Sequence, residues 1–248
     1  MICLQETKLQ ESNVKEWEGA LQGYDSHWSC STVKKGYAGT AVFLKNDGSV
    51  SAPTVSFGID DKDHDGEGRA ITIECPKFFV VALYVPNSGM KLERLRYRVD
   101  AWDVSLRRYL NKLQAIKPVL LTGDLNVAHL DLDIYNYFAP HVKKTPGCTQ
   151  EERESMTTML EECKMVDGFR ALHGEAKANY TYWSVRTKAR DDNKGLRLDY
   201  WIMSEAMLNT SPGEAPTVHD VFHLDQCKAD GMPFCSDHCP VGVTVVNP

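Results

Sequence analysis

Three features are missing from this chain of 248 residues, and each absence narrows what the protein can be. The longest apolar run covers only residues 78–85, far short of the ~20 residues that a membrane-spanning helix needs. The N-terminus shows no signal peptide, and no stretch rich in proline, glycine and serine divides the chain. We therefore expect a single domain, residues 1–248, with no membrane segment.

The chain also has fewer basic than acidic residues. Lysine and arginine number 28 against 34 aspartate and glutamate, which gives a formal net charge of −6. This balance argues against nucleic-acid binding that is driven by total charge, although it leaves room for a local basic face. Arginines and lysines cluster at residues 94–108 and 186–197, and each cluster alone is typical of a solvated surface.

The cysteine pattern does not indicate a fold that is held together by disulfides or by a zinc ion. Among the eight cysteines, Cys235 and Cys239 bracket Asp237 and His238, but no second pair has the spacing of a zinc site. Without a secretion signal, we expect free thiols. Eight unpaired thiols leave thiol-based regulation as a weaker hypothesis.

The most informative stretch is residues 119–129. Residues 119–122 form a short apolar run, which predicts a buried strand. Gly123 permits a turn, and Asp124 and Asn126 follow two positions apart. In extended backbone such residues point to the same side. We expect a carboxylate and an amide to face one spot at the end of a strand, where α/β proteins build their sites.

Acidic residues recur where other predicted strands begin or end, and they are Glu6, Asp199 and Asp237, the last followed by His238. Carboxylates suit Mg²⁺ or Mn²⁺, and a histidine beside acids suits proton transfer or charge stabilisation at a phosphate. Each motif alone is weak, since an isolated Asp-His pair is more often structural. Together they describe metal-assisted hydrolysis of a phosphodiester.

Strands and helices interleave along the chain, and many strands follow one another directly. Apolar residues recur at spacings of three and four between residues 92 and 113, which predicts a long helix; they are Leu92, Leu95, Val99, Trp102, Leu106, Leu110 and Leu113. Thr149 and Glu152 form a capping box that opens another helix, and a further helix is expected from Ser12 with Trp17 on its apolar face. The pattern predicts an α/β fold with two packed sheets flanked by helices.

Eight segments carry a family resemblance: LQETK (residues 4–8), GYAG (36–39), HDGEGR (64–69), YVPN (84–87), GDLNVAH (123–129), GCTQEER (147–153), RLDY (197–200) and SDHCP (236–240). In this order they closely resemble the exonuclease III-type apurinic/apyrimidinic (AP) endonucleases of the endonuclease/exonuclease/phosphatase superfamily. The resemblance implies a DNase I-like, four-layered α/β sandwich of mixed sheets. It also implies Mg²⁺-dependent hydrolysis of the phosphodiester 5′ to abasic sites in duplex DNA during base excision repair. Activity as a 3′-phosphodiesterase or 3′–5′ exonuclease is a further implication.

The resemblance also assigns roles to the metal and the nucleophile. Glu6 is implied as a metal ligand, Asp237 belongs to the acids near the metal, and Mg²⁺ is the expected ion, with Mn²⁺ as a substitute. Asp124 is implied to position or deprotonate the attacking water, helped by Asn126.

Contacts to DNA are implied in the same way. His238 would bind and stabilise the scissile phosphate, with Asp199 orienting its ring. Tyr84 and Asn87 would contact the phosphate. The aromatic residues Tyr182 and Trp183 would line the pocket for the base-less sugar, although core packing explains them equally well.

Two features depart from the family pattern. Family members carry a strand with an active-site asparagine, and often an aspartate, before the block that contains Glu6, whereas here Met1 lies five residues before it. Leu196 stands where close relatives often carry an aromatic residue. We therefore expect a member that is truncated at its N-terminus, active if that strand is supplied and weak or inactive without it.

Other functions remain open. One is another phosphoesterase of the superfamily, acting on inositol phosphates, RNA tails or ordinary DNA. Another is a catalytically impaired module that binds abasic DNA without cutting it. For the AP endonuclease we expect abasic duplex DNA and base excision repair proteins as partners, a monomeric state, and the nucleus as location, with the mitochondrion as alternative.

Overall fold

The computed structural model describes residues 1–48, 53–208, 216–225 and 236–246. These residues form two compact units. The first comprises Met1–Val85 and Val104–Asp124, and the second comprises Pro86–Asp103 and the described part of Leu125–Pro248. The single domain expected from the sequence remains a prediction.

The first unit contains a three-stranded antiparallel sheet with its most buried strand in the middle. Its strands are β1 (Ile2–Gln5), β2 (Tyr24–Ser29) and β3 (Thr40–Lys45), in the order β1-β3-β2. Every residue of β3 except Lys45 is buried, as its apolar run predicts. The register sets Gln5 opposite Thr40, so β1 ends directly before Glu6.

A second sheet in the first unit carries the other predicted strands. It comprises β4 (Thr54–Phe57), β5 (Ala70–Glu74), β6 (Phe79–Tyr84) and β7 (Val119–Asp124). The pairs β4-β5 and β5-β6 are antiparallel, whereas β6 and β7 run parallel. All residues of β6 and β7 are buried, and their register sets Tyr84 opposite Asp124. These two side chains therefore lie at the same edge of the sheet.

Glycine is required near the end of β7. Gly123 has φ 131°, and a Cβ there would lie 1.9 Å from the main-chain oxygen of Leu83 on the neighbouring strand. No other residue type fits so close an approach of two backbones. The turn that the sequence predicts at this position is wrong, because Gly123 lies within β7 and pairs with Leu83; glycine is needed there for strand packing.

The predicted helix from Ser12 onward is wrong in length. The helix α1 covers only Glu11–Val14, and Trp17 is 51% exposed. Positive φ angles at Gly19 and Gly23, which a continuing helix does not permit, follow within a few residues. Only Val14 of this segment is buried, so the apolar spacing did not correspond to a core-facing stripe.

Longer helices follow the sequence pattern more closely. After the short α2 (Lys62–Asp65), a π-helical segment (Tyr97–Trp102) leads into α3 (Asp103–Gln114). The predicted helix therefore forms, but it begins after Leu92, which has φ 59°, and its first part is a π-helix, which the spacing did not predict. Helix α4 (Gln150–Glu162) starts with the predicted capping box. The Thr149 side chain accepts the main-chain N–H of Glu152, and the Glu152 side chain accepts the main-chain N–H of Thr149.

The second unit contains two antiparallel strand pairs. Strands β8 (Met165–Asp167) and β9 (Asp199–Ser204) form one pair, and β10 (Thr217–His223) and β11 (Val241–Val246) form the other. A short helix, α5 (Gly168–His173), follows β8. Asp199 is the first residue of β9, so its side chain is carried by a rigid element.

Candidate active site

In the first unit, a tight loop presents Glu6 at the end of β1. Glu6 has φ 53°, a left-handed conformation that costs energy for any residue except glycine. The loop is held by residues 36–39, since Thr7 donates its N–H to the oxygen of Gly39 (3.1 Å) and Lys8 donates to Ala38 (2.9 Å). The surroundings therefore compensate for the strain and fix the direction of the carboxylate.

Both oxygens of the Glu6 carboxylate have partners. The Tyr84 hydroxyl donates a hydrogen bond to Oε1, and the Lys8 ammonium lies 2.8 Å from Oε2. Burial raises the pKa of Tyr84 above its usual range, and the charges of Glu6 and Asp124 raise it further. Tyr84 consequently remains a hydrogen-bond donor across the physiological pH range. The hydrogen bond from Tyr84 to Glu6 and the register that sets Tyr84 opposite Asp124 bring these three residues together in the first unit.

Arg69 supports Tyr84, and sequence reasoning gave it no role. Its buried guanidinium donates to the main-chain oxygen of Tyr84 (3.0 Å) and to the Tyr37 hydroxyl (2.9 Å), and pairs with Glu67 (2.6 Å). It also lies 4.6 Å from the centre of the Tyr84 ring. An arginine immediately before a buried strand was the available clue, because a buried charge needs several partners.

In the second unit, Asn87 and Asn126 form a hydrogen-bonded amide pair. Asn87 Nδ2 donates to Asn126 Oδ1 (2.8 Å), while Asn87 Oδ1 accepts the N–H of Gly89 (2.8 Å). Asn126 is buried and has φ 48°, again left-handed. The pairing defines which side of the Asn126 amide carries oxygen and which carries the two N–H donors.

Asp199 fixes the ring of His238. The His238 Nδ1 and Asp199 Oδ2 atoms are 2.7 Å apart, and the carboxylate is almost completely buried. The Thr181 hydroxyl accepts the main-chain N–H groups of Leu198 (2.9 Å) and Asp199 (3.0 Å), which anchors the start of β9. With the Nδ1 proton donated to Asp199, proton exchange of the ring takes place at Nε2.

The aromatic residues predicted at the sugar pocket occupy two different environments. Tyr182 packs on the ring of His238, with the ring centres 5.0 Å apart. Trp183 is 3% exposed, and its Nε1 donates to Asn193 (2.9 Å) within a buried cluster. The main-chain N–H of Trp183 donates to the oxygen of Asp237 (2.8 Å), whose side chain is exposed. Tyr182 is half-buried and also packs against the buried cluster that contains Cys148 and Leu198. Core packing, the alternative that the sequence left open, thus accounts for Trp183 and contributes to the placement of Tyr182. The sugar-pocket role of both residues stays a prediction.

The acids present suit a hard divalent ion that needs few protein ligands. Within the described ranges, no group of three or more histidine, cysteine, aspartate or glutamate side chains could hold a metal. Mg²⁺ commonly binds through one or two carboxylates plus water and a substrate phosphate. Glu6, which is partly exposed and already hydrogen-bonded on the protein side, fits such a ligand.

The described thiols are free and several of them are buried. The six cysteines that the structure covers are free, and Cys235, one of the two cysteines considered for zinc, lies outside the described residues. Burial raises the pKa of Cys3, Cys148 and Cys239 to about 12, so these thiols stay protonated at neutral pH. In the part of the chain that the structure shows, no helix is both long and apolar enough to span a bilayer.

Comparison with known proteins extends these observations. The model of the endonuclease/exonuclease/phosphatase family matches residues 1–238. A DNA-(apurinic or apyrimidinic site) endonuclease of Dictyostelium discoideum is 39% identical over 99% of this chain and 62% of its own length. An exodeoxyribonuclease of Bacillus subtilis is 40% identical over 99% of this chain and 87% of its own. The crystal structure of an AP endonuclease from Leishmania major aligns with a TM-score of 0.85 and 31% identity, over 99% and 78% of the two chains. The chain thus spans just under two thirds of the Dictyostelium relative.

Proposed function

The chain belongs to the endonuclease/exonuclease/phosphatase family, and on that premise we propose that it is a Mg²⁺-dependent DNA repair endonuclease. It hydrolyses the phosphodiester 5′ to abasic sites in duplex DNA. The observation that carries this proposal is the buried Asp199 carboxylate, 2.7 Å from Nδ1 of His238, because it prepares the ring to stabilise charge on a phosphate.

Several broader predictions are confirmed. The family resemblance and the α/β class follow from the match to residues 1–238 and from the TM-score of 0.85. The relatives are nucleases named for activity on DNA, which is the predicted enzyme class, and family members depend on divalent metals. The choice of Mg²⁺, with Mn²⁺ as a substitute, and of abasic duplex DNA belongs to the proposal.

Two acids take the proposed metal-side roles. Glu6 of the first unit is the proposed metal ligand, and Asp237, which belongs to the second unit, is the proposed second acid. A bound Mg²⁺ would supply charge neutralisation at a phosphate oxygen. Tyr84 keeps its proton and holds the Glu6 carboxylate in position. Asp124 accepts the proton of the attacking water, since a carboxylate at the rigid end of β7 can act as a general base.

Residues of the second unit bind and stabilise the phosphate. Asn126 orients the water or a phosphate oxygen with its amide, which Asn87 fixes. His238 donates Nε2–H to the phosphate, and Asp199 stabilises the imidazolium form that makes this hydrogen bond strong. Tyr182 lies against His238 and is our candidate for contact with the base-less sugar. We keep Trp183 as support behind that pocket.

Cleavage of a labelled duplex that contains one abasic-site analogue tests the proposal. We expect cutting on the 5′ side of the lesion with Mg²⁺, no cutting with EDTA, and a loss of at least about 100-fold in Asp124→Asn and His238→Ala. The control is Asp192→Asn, which removes an exposed carboxylate paired only with Lys194 among its described contacts. It should cut like the wild type.

The outcome also separates the alternatives. A folded chain that binds abasic duplex in a salt-sensitive way but never cuts it is a binding module. Hydrolysis of inositol phosphates, RNA tails or undamaged DNA in preference to the abasic duplex indicates another phosphoesterase. We extend the proposal to a monomer that acts in the nucleus together with base excision repair proteins, and cell fractionation can test the location. We also propose 3′-phosphodiesterase or 3′–5′ exonuclease activity, which 3′-blocked substrates can test.

A further inference from the structure

Glu152 makes more contacts than a helix cap requires. Its Oε2 atom completes the capping box, since it accepts from the main-chain N–H of Gly147 (2.8 Å) and from the N–H (3.2 Å) and hydroxyl (2.7 Å) of Thr149. Its Oε1 atom accepts from the Ser88 hydroxyl and from Arg98 (3.1 Å). The side chain is 0% exposed. One oxygen thus begins the helix, and the other binds two segments that are distant in sequence.

Arg98 links the Glu152 carboxylate to the segment that carries Asn126. Its guanidinium donates through Nη1 to the main-chain oxygen of Asn126 and through Nη2 to that of Leu125 (2.7 Å). Arg98 is 2% exposed and lies in the π-helical segment Tyr97–Trp102, a conformation often found at functional sites. Holding two successive carbonyls constrains the backbone that gives Asn126 its left-handed φ of 48°.

Ser88 and Gly147 both donate hydrogen bonds to the Glu152 carboxylate, and each lies next to one residue of the Asn87–Asn126 amide pair. Ser88 follows Asn87, whose amide donates to Asn126 (2.8 Å). The oxygen of Gly147 accepts the N–H of Ala128 (2.7 Å), and a Cβ on Gly147 would lie 3.0 Å from the oxygen of Asn126. The segments that hold Asn87 and Asn126 are therefore both tied to Glu152.

Stability alone gives a poor reason for such an arrangement. A buried ion pair loses its hydration, and packed apolar residues often serve stability equally well or better. The contacts of Glu152 and Arg98 instead converge on the main chain around two amides, and a planar guanidinium is suited to hold adjacent oxygens in a fixed geometry.

We propose that Glu152 and Arg98 are positioning residues, which hold the Asn87–Asn126 amide pair in the orientation that hydrolysis uses. The catalytic part of this inference rests on the proposed function. The positioning part does not, because the orientation of the amides can be observed without any cleavage.

Glu152→Gln is the main test, with Asp103→Asn as its matched control. Glutamine keeps the size of Glu152 but loses the charge and places an NH₂ group where N–H or guanidinium donors already point. Asp103 lies 4.0 Å from Nε of the same Arg98 and accepts from Ser155 (2.7 Å), with no described contact to Asn87 or Asn126. Both variants remove one buried or nearly buried acid beside one arginine.

Two readouts are needed. In protein labelled with ¹⁵N-asparagine, the side-chain amide signals of Asn87 and Asn126, assigned from Asn87→Asp and Asn126→Asp, should shift in Glu152→Gln and stay in place in Asp103→Asn. In cleavage of the abasic duplex, kcat of Glu152→Gln should fall at least about tenfold with KM within about twofold of wild type, because orientation and not binding is lost. Asp103→Asn should retain both constants.

The possible results are distinguishable. Unchanged amide signals and unchanged kcat in folded Glu152→Gln overturn the inference. Shifted signals in a protein that never cuts abasic DNA support the positioning and refute the proposed function. If Glu152→Gln does not fold, Ser88→Ala decides, because it removes a single neutral donor to the carboxylate. A shifted Asn87 signal with a fall in kcat of about threefold supports the inference, and wild-type behaviour contradicts it.

Discussion

Replacement of Asp199 by asparagine is the sharpest test of how the histidine works. Asp199 is almost completely buried and accepts the Nδ1 proton of His238 at 2.7 Å. Asparagine has nearly the same size, and the main-chain bonds to the Thr181 hydroxyl do not involve the altered atoms. We therefore expect the variant to fold, with little change in its melting temperature.

The expected loss follows from the change in hydrogen-bond strength. A hydrogen bond to a charged group contributes about 1.5–3 kcal/mol, against about 0.5–1.5 kcal/mol for a neutral pair. The imidazolium of His238 thus loses about 1–2 kcal/mol of support in the transition state, which corresponds to a fall of about 5–30-fold in kcat. The loss is larger if the new amide turns its NH₂ group toward Nδ1 and selects the wrong tautomer.

Single-turnover cleavage of the abasic duplex with Mg²⁺ measures this effect. The matched control is Asp220→Asn, which alters the other described histidine–aspartate contact of the second unit, between His173 and Asp220 (3.2 Å). It should leave the rate unchanged, since neither residue belongs to the proposed site. A folded Asp199→Asn variant that cuts within about twofold of wild type would refute the role assigned to Asp199.

Three further predictions concern stability and thiol chemistry. Gly123→Ala should lower the free energy of unfolding by at least about 3 kcal/mol in urea titration, because its Cβ would meet the main-chain oxygen of Leu83 at 1.9 Å; a loss below 1 kcal/mol would contradict the packing. Burial and Glu6 raise the pKa of Tyr84, so its contribution to stability is complete below the unfolded value near 10 and is lost as pH rises further. The difference in unfolding free energy between wild type and Tyr84→Phe should stay constant from about pH 7 to 9 and shrink above pH 10, and a difference that grows instead has the wrong sign. Burial raises the pKa of Cys148 to about 12, so mass spectrometry after alkylation at pH 8 should find this thiol unmodified in the native protein and modified after unfolding.

The local elements followed from the sequence where one rule decided them. The apolar run before Asp124 became a buried strand, and the capping box at Thr149 opened its helix where predicted. Both features depend on a few neighbouring residues, so spacing alone identifies them. The expected helix with Trp17 failed because two following glycines adopt positive φ, which periodicity does not reveal.

The candidate site was harder to predict because its parts meet through long-range contacts. Asp199 and His238 are 39 residues apart, and Arg98 and Glu152 are 54 apart. The family resemblance supplied the first pair. The second pair had no motif, since one residue looked like part of a surface cluster and the other like a helix cap. The roles of all the proposed site residues remain predictions.

The left-handed residues beside β1 limit how this protein can be stabilised. Glu6 and Lys8 both have φ 53°, and such a conformation costs of the order of 1 kcal/mol for each residue that has a side chain. Selection for heat resistance alone would therefore favour glycine at both positions. At Lys8 the exchange would remove one ion pair, but at Glu6 it would remove the carboxylate itself. A laboratory evolution that selects only for a higher melting temperature is expected to yield more stable proteins that lack the Glu6 carboxylate. Activity must therefore be selected together with stability.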